Sequence, residues 1–163
     1  MTDGKTLYLM RHAESSWSGT DLSDFDRSLN ERGLRDAPEM GLRLKMRGPL
    51  PEIILCSPAK RAMQTLENMD LGIENVVFDE RIYAASTGEL LDLIQSLEND
   101  CDSAMLIGHN PTMARLIRRL SDVRIDSMPT CAIATIGLTS THWRKAGSCA
   151  AILHDFDYPQ KTA

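Results

Sequence analysis

Short apolar runs alternate with amphipathic stretches along this chain, and that alternation limits the possible folds more than any other feature. Six runs have the length and composition of β-strands: Thr6–Met10, Ile53–Cys56, Val76–Phe78, Ala104–Ile107, Ala132–Leu138 and Ala150–Phe156. Because helix-forming segments separate most of them, the strands are expected to lie largely parallel in one sheet that helices cover on both faces. The sequence therefore predicts an α/β fold, a three-layer α/β/α sandwich, as a single domain over residues 1–163.

Four helices are predicted between these strands: roughly from Glu31 to Met46, after Pro58, after Ser86 and from Pro111. The first has apolar or small residues three and four positions apart: Leu34, Ala37, Gly41 and Leu44. Pro38 should kink this helix or mark its true start. Ser86 and Glu89 have the spacing of a capping box, and the last helix should bury its apolar face: Met113, Leu116, Ile117 and Leu120.

Charge and composition exclude several classes of protein. The chain has 18 Lys and Arg against 23 Asp and Glu, a net charge of −5, which argues against a nucleic-acid or membrane-surface partner. Its longest apolar run, Cys149–Leu153, is far shorter than a membrane span, and the polar amino terminus predicts no signal peptide. The four cysteines are scattered without a C-x-x-C pair, which favours reduced thiols in a cytoplasmic protein over a metal knuckle or a disulfide framework.

Three of the predicted strands end in residues with unusual chemistry, at the edge of the sheet where ligands bind in such folds. Arg11 and His12 follow the first strand and place a fixed cation beside a nitrogen that can act as nucleophile or base. Ser57 and Pro58 follow the second strand and are predicted to cap and begin a helix, with Arg61 in its first turn. Each motif alone also fits a structural role. Arg11 and His12 could be an ordinary pair in an edge loop, and Ser57 could be an ordinary helix cap with Arg61 in solvent.

The fourth strand ends in a similar way. Gly108 would let the backbone approach a ligand closely, and His109 lies where the amino terminus of a helix favours anions. Asn110 is predicted to cap that helix and Pro111 to begin it. The alternative for His109 is a core histidine bonded to a carbonyl.

The three strand ends together bring two arginines and two histidines to one edge of the sheet. Guanidinium groups and amide donors around a neutral imidazole are typical of a phosphoryl site. A metal site would instead require several neutral histidines or carboxylates without arginine, so no metal is predicted. The chain has neither a Walker loop nor a G-x-G-x-x-G motif, so nucleotide-driven chemistry is not indicated.

The segments L-M-R-H-A-E, S-P-A-K-R-A-M-Q-T and I-G-H-N-P resemble, in order and spacing, the motifs of the histidine phosphatase superfamily, also called the phosphoglycerate mutase-like family. Asp26–Gly33 is similar to the family's L-T-x-x-G helix start, and the resemblance covers most of the chain. The chain is most similar to the short SixA-type phosphohistidine phosphatases, since it lacks the long insertions that cover the site in sugar-phosphate mutases. The resemblance implies a phosphoglycerate mutase-like fold and a phosphatase that needs no cofactor.

The same resemblance implies a role for each matching residue. His12 would be the nucleophile that takes up the phosphoryl group, and Arg11, Arg61 and His109 would line the phosphate pocket with it. Ala13 stands where the family often has glycine, and both residues are small.

The proton donor is less defined by the resemblance. Asp79-Glu80-Arg81-Ile82-Tyr83 is similar to the N-E-R-x-Y segment in which mutases carry their catalytic glutamate, so Glu80 is the candidate. SixA-type members generally lack a donor there, and Glu80 equally fits a solvated position before a loop. Ser18 stands where many mutases have asparagine, which disfavours a mutase.

Three functions are consistent with these residues. The first is a cofactor-independent phosphatase that acts on phosphohistidine in proteins. The second is a phosphomonoesterase or mutase of small phosphate esters, and the third is a non-catalytic phosphate-binding module. Arg115, Arg118 and Arg119 form a basic helix face that could dock an acidic protein substrate or could simply be solvated. The sequence does not define the oligomeric state.

Overall fold

The computed structural model describes residues 4–17 and 23–161, and at the centre of those residues lies a six-stranded sheet. The strands are β1 (Thr6–Arg11), β2 (Ile53–Cys56), β3 (Val76–Phe78), β4 (Ser103–Gly108), β5 (Ile133–Leu138) and β6 (Ala151–Asp157). Their order across the sheet is β3-β2-β4-β1-β5-β6. The first four strands are mutually parallel, whereas β5 runs antiparallel to β1 and β6 antiparallel to β5. The predicted mostly parallel sheet is therefore confirmed.

Helices cover both faces of this sheet. They are α1 (Glu31–Arg47), α2 (Lys60–Met69), α3 (Thr87–Gln95) and α4 (Thr112–Ser121). Successive residues of β1 point to opposite faces: Tyr8 and Met10 belong to the apolar cluster of α1 and α2, and Leu7 and Leu9 to that of α3 and α4. The three-layer α/β/α sandwich predicted from the sequence is confirmed.

The first helix begins as its sequence predicts but buries a different stripe. The Asn30 side chain caps it by accepting a hydrogen bond from the amide of Gly33, and the helix continues through Pro38, which does not mark its start. Its buried residues include Ala37, Gly41 and Leu44 but also Gly33, Asp36 and Met40. The expectation for Leu34 is wrong, since that side chain is 48% exposed. Because the buried stripe of the helix includes Gly33 and Ala37, the next residue after Gly33, Leu34, lies on the solvent side.

Two helices begin later than predicted. The N-cap position of α2 is Ala59 rather than Ser57, and that of α4 is Pro111 rather than Asn110, and neither residue makes a side-chain cap. The side chain of Asn110 still accepts a hydrogen bond from the amide of Ala114 in the first turn of α4, at 3.2 Å, as a capping residue does. In both places the residues directly after the strand turn the chain before the helix begins. The capping box of α3, formed by Ser86 and Glu89, is confirmed.

The topology places the chemically unusual strand ends side by side. Strands β2, β4 and β1 are consecutive in the sheet and parallel, so their carboxyl ends meet at one edge. The segments that follow these strands, which carry His12, Arg61 and His109, therefore converge there. No helix in the described part of the chain is long and apolar enough to cross a membrane.

Candidate active site

His12 lies at the bottom of the site, directly after β1, and is only 6% exposed. Its Nδ1 lies 2.7 Å from the carbonyl oxygen of Ala13. Because a carbonyl only accepts, Nδ1 must carry the ring proton. The other nitrogen, Nε2, is then a lone pair, and it accepts a hydrogen bond from Nε of Arg61 at 3.3 Å. The ring is thus held in the tautomer whose Nε2 can act as a nucleophile.

Burial keeps this ring unprotonated. The pKa of His12 is lowered to about 3, first by burial and further by the nearby His109, Arg61 and Arg11, while the bond to Ala13 opposes the shift. The structure gives repulsion a smaller part than the removal of the ring from water.

Arg61, in the first turn of α2, is 5% exposed and uses two edges of its guanidinium group. One edge faces the histidines, with Nε on His12 and Nη2 3.3 Å from Nδ1 of His109. The other edge donates to Asp24, from Nη1 to the backbone carbonyl at 2.6 Å and from Nη2 to Oδ2 at 3.0 Å. Asp24 therefore fixes the guanidinium plane while the opposite edge faces the nucleophile.

His109 follows β4 and takes the opposite tautomer to His12. Since Arg61 can only donate, Nδ1 of His109 accepts, and Nε2 carries the proton. That proton is donated to Oγ of Ser57 at 2.8 Å. Ser57 thus orients a histidine rather than capping α2 as predicted. Burial, followed by the charge of Arg61, lowers the pKa of His109 to about 4, so this ring is also neutral near neutral pH.

Arg11 and Arg27 complete the set of cations. Both have buried guanidinium nitrogens without a hydrogen-bond partner among the described residues, Nε of Arg11 and both Nε and Nη1 of Arg27. Nη1 of Arg11 donates to the carbonyl of Met128, and Nη2 of Arg27 donates to Oγ of Ser15. The two arginines line a cleft of about 390 Å³ together with His12. Buried donors without partners at the wall of a cleft indicate where an anion would bind.

Sequence reasoning missed Arg27 as well as Asp24 and Tyr83. The hydroxyl of Tyr83 donates to Oδ2 of Asp24 at 2.7 Å, and its ring lies edge-on to His109 with centroids 5.6 Å apart. Asp24 and Arg27 come from a short 3-10 turn and the residue after it, which have no periodic pattern. Two family-like segments gave a signal: Asp26–Gly33 contains Arg27 but was interpreted only as a helix start, and Asp79–Tyr83 contains Tyr83 but was used only for Glu80.

The structure brings Arg11, His12, Arg61 and His109 together, but it places Glu80 differently. Glu80 is exposed and begins the 3-10 turn that delivers Tyr83 to the site. None of the hydrogen bonds or ion pairs of the described residues joins the Glu80 side chain to either histidine. Ser18, the other residue on which the mutase comparison depended, lies outside the described residues.

The charges of this arrangement suit a phosphoryl group. Arg11, Arg27 and Arg61 against Asp24 leave a net charge of +2 around two neutral histidines, and Glu14, which also lines the cleft, is paired with Arg32 at 2.9 Å. A phosphate dianion would balance that charge and accept hydrogen bonds from the free guanidinium edges. Among the described residues there is no group of three or more His, Cys, Asp or Glu that could hold a metal ion. The arrangement can therefore transfer a phosphoryl group to Nε2 of His12.

Comparison with known protein families agrees with this chemistry. The model of the histidine phosphatase superfamily (branch 1) matches residues 7–93. An uncharacterized protein of Mycobacterium tuberculosis (strain ATCC 25618 / H37Rv) is 32% identical over 162 residues, which cover 93% of this chain and 100% of that protein.

Solved structures show the same architecture over nearly the whole chain. A protein from Nakamurella multipartitia with the provisional name phosphohistidine phosphatase SixA superposes with a TM-score of 0.82 at 25% identity, covering 96% of this chain and 97% of that one. A protein of the same provisional name from Agrobacterium tumefaciens gives a TM-score of 0.81 at 29% identity, covering 95% and 99%. The phosphoglycerate mutase-like fold implied by the sequence motifs is thereby confirmed.

Replacing Arg27 with lysine should weaken the binding of orthophosphate by roughly ten-fold or more, because lysine cannot supply the planar pair of donors that faces the cleft. Isothermal titration calorimetry at fixed salt would measure this affinity. Arg35→Lys, on the solvent side of α1 with a side chain 73% exposed, is the matched control and should bind as wild type does. Equal affinities for wild type and Arg27→Lys would contradict a role for Arg27 in the site.

Stability should fall as pH decreases from 7 to 5, because His12 and His109 have folded pKa values of about 3 and about 4. In the unfolded chain both would titrate near ~6.5, so below that pH the unfolded state binds protons that the folded state does not. Each histidine should then lower the free energy of unfolding by about 2 kcal/mol between pH 7 and pH 5.

Urea unfolding of wild type, His12→Asn and His109→Asn at pH 5, 6, 7 and 8 would measure this loss. Each variant should lose less stability than wild type between pH 7 and 5. Between pH 7 and 8 the three slopes should nearly agree, because the folded rings do not titrate there and each unfolded ring, with a pKa near ~6.5, releases only about a quarter of a proton. A variant that loses as much as wild type on acidification would show that its histidine is not buried in neutral form.

Proposed function

The chain is a phosphatase of the SixA-type branch of the histidine phosphatase superfamily, and from that premise we propose that it hydrolyses phosphohistidine on proteins through a phosphorylated His12. One observation carries the proposal: a buried neutral imidazole presents its lone pair at Nε2, within hydrogen-bond distance of Arg61. Residues 1–163 would act as one domain of this kind, without a cofactor.

The reaction would proceed in two displacements. Nε2 of His12 attacks phosphorus while the bond to the substrate's leaving group breaks. The unpaired guanidinium nitrogens of Arg11 and Arg27, together with the Nε of Arg61 that His12 gives up, stabilise the charge on the phosphoryl oxygens. Water then attacks the phosphorus on His12. The P–Nε2 bond breaks with its electron pair returning to Nε2, and phosphate leaves with the oxygen and protons of the water. The ring is then neutral again, with its Nδ1 proton still donated to the carbonyl of Ala13.

The surroundings of the site favour a protein as the substrate. Trp17 at the cleft is 82% exposed, so the described rim can meet a large surface. Arg115 and Arg118, on the helix that follows His109, are also exposed and would attract an acidic protein. This agrees with the provisional name of the similar proteins from Nakamurella multipartitia and Agrobacterium tumefaciens.

The cytoplasmic location stays a prediction from the sequence. It was predicted because the cysteines form no pair, and all four cysteines are free in the structure.

Trapping the covalent intermediate would test the proposal. A protein phosphorylated on histidine with labelled phosphoramidate should transfer label to the enzyme, in an acid-labile form on the peptide that contains Arg11 and His12. His12→Asn should abolish both labelling and turnover. His142→Asn, an exposed histidine outside the site, is the matched control and should turn over as wild type does. Wild-type turnover by His12→Asn would overturn the proposal.

Glu80→Gln should change kcat/KM for phosphohistidine by less than about three-fold, because an imidazole leaves readily once it is protonated. An alkoxide leaving group, in contrast, needs a general acid, which typically contributes ~10²–10⁴-fold to the rate. Wild type should accordingly hydrolyse a phosphohistidine protein far faster than 3-phosphoglycerate. Steady-state kcat/KM on both substrates, for wild type and Glu80→Gln, would measure this. Efficient hydrolysis of 3-phosphoglycerate that is lost in Glu80→Gln would assign the chain to the phosphatases of small phosphate esters instead.

A further inference from the structure

Asp24 contacts other residues of the site besides Arg61, which it holds in place. Its Oδ2 accepts hydrogen bonds from both Arg61 and Tyr83, at 3.0 and 2.7 Å. Its Oδ1 receives no hydrogen bond from the described residues and has only an ion-pair contact, 3.4 Å from Nε of Arg27. The carboxylate is 50% exposed, whereas His12 and Arg61 are almost completely buried. One carboxylate oxygen is thus committed to the site and the other can take a further donor.

Asp24 lies on the side of the site that a leaving group must occupy. The nucleophilic nitrogen of His12 is at the bottom, so phosphorus lies above it towards solvent. In-line displacement places the leaving group opposite the nucleophile and therefore farther out. Asp24 bonds the guanidinium edge of Arg61 opposite the one that faces His12, and it is half exposed, so we place it in that outer region. Tyr83, which bonds it, is only partly buried and lies edge-on to Phe25, with ring centroids 5.0 Å apart.

We propose that Asp24 binds the leaving imidazole ring of phosphohistidine in its protonated form, accepting a hydrogen bond from the ring nitrogen that does not carry phosphorus. This inference rests on the proposed function and names the group that selects its substrate class. The rings of Phe25 and Tyr83 offer an aromatic surface on the same side of the site, which favours a flat cation.

The step balances without any further proton donor. The substrate enters with a proton on its distal ring nitrogen and a P–N bond at the other. The Nε2 lone pair of His12 forms the new P–N bond, and the old one breaks with its electron pair going to the leaving ring. That ring departs as neutral imidazole and keeps the proton that Asp24 held in place. Without that proton it would have to leave as an imidazolate anion, a far poorer leaving group.

The charge state of Asp24 fits this role. The hydrogen bond from Tyr83, together with the charges of Arg61 and Arg27, holds the pKa of Asp24 below its ordinary value, so the carboxylate is an anion near neutral pH. An anion at this place attracts an imidazolium ring and repels a substrate that carries its own carboxylate beside the phosphate. Asp24 would therefore favour phosphohistidine over an ester such as phosphoglycerate.

Asp24→Asn tests the proposal, because asparagine keeps the shape and a carbonyl for Arg61 but removes the charge. The probes are N-phosphoimidazole, whose ring leaves as imidazole, and p-nitrophenyl phosphate, whose leaving group is an anion. Looser positioning of Arg61 would lower kcat/KM on both probes by a common factor. Loss of the carboxylate should lower N-phosphoimidazole hydrolysis by roughly a further ten-fold, the size of one charge-assisted hydrogen bond. The ratio of the two kcat/KM values is the readout.

Asp26→Asn is the matched control, since Asp26 lies in the same 3-10 turn, is exposed and bonds only Ser23 among the described residues. Its ratio should equal that of wild type. A ratio in Asp24→Asn within about two-fold of wild type would overturn the proposal and leave Asp24 as a residue that only positions Arg61. Failure of the proposed function would be distinguishable, because wild type would then hydrolyse neither N-phosphoimidazole nor the phosphohistidine protein.

Discussion

A histidine buried without its charge among guanidinium groups is the constraint on which the rest of this site depends. Water would otherwise protonate such a ring below about pH 6.5, and a protonated ring has no lone pair for phosphorus. The fold removes water by placing His12 beneath Arg61. It then fixes the remaining proton on Nδ1 with the carbonyl of the next residue, Ala13. Burial selects the charge state of the ring, and one backbone carbonyl selects its tautomer.

The cations around the nucleophile are held without using the donors that an anion needs. Each arginine spends part of its guanidinium group on the protein: Arg11 on a backbone carbonyl, Arg27 on a serine hydroxyl and Arg61 on Asp24. Side chains anchored in this way lose little further conformational freedom when a phosphoryl group binds. The arrangement is therefore set before substrate arrives, which is the condition for strong electrostatic stabilisation of a transition state.

Much of this architecture can be predicted from the sequence, and the predictions that are wrong or missing have identifiable physical reasons. The strands and the residues at their ends are predictable because apolar runs and motifs such as R-H and G-H-N-P are local signals. The start of α2 is misplaced because Ser57, a good cap by type, bonds His109, which is distant in sequence. Asp24 and Tyr83 meet across 59 positions of sequence through a hydrogen bond, and neither lies in a periodic segment. Contacts between irregular segments leave no pattern from which to predict them.

Helix α2 contributes two neighbouring groups to the site, and this has a mechanical consequence. Arg61 faces the nucleophilic ring, while Thr65, one turn later, accepts a hydrogen bond from the amide of Ala13 at 2.9 Å and donates to the carbonyl of Arg61. The backbone beside His12 is thereby attached to the same turn of helix that carries its cation. The backbone of His12 is also bonded to the sheet, through its amide to the carbonyl of Gly108. The nucleophile therefore connects the sheet to α2, and a displacement of that helix would strain the backbone beside the ring as well as move the cation.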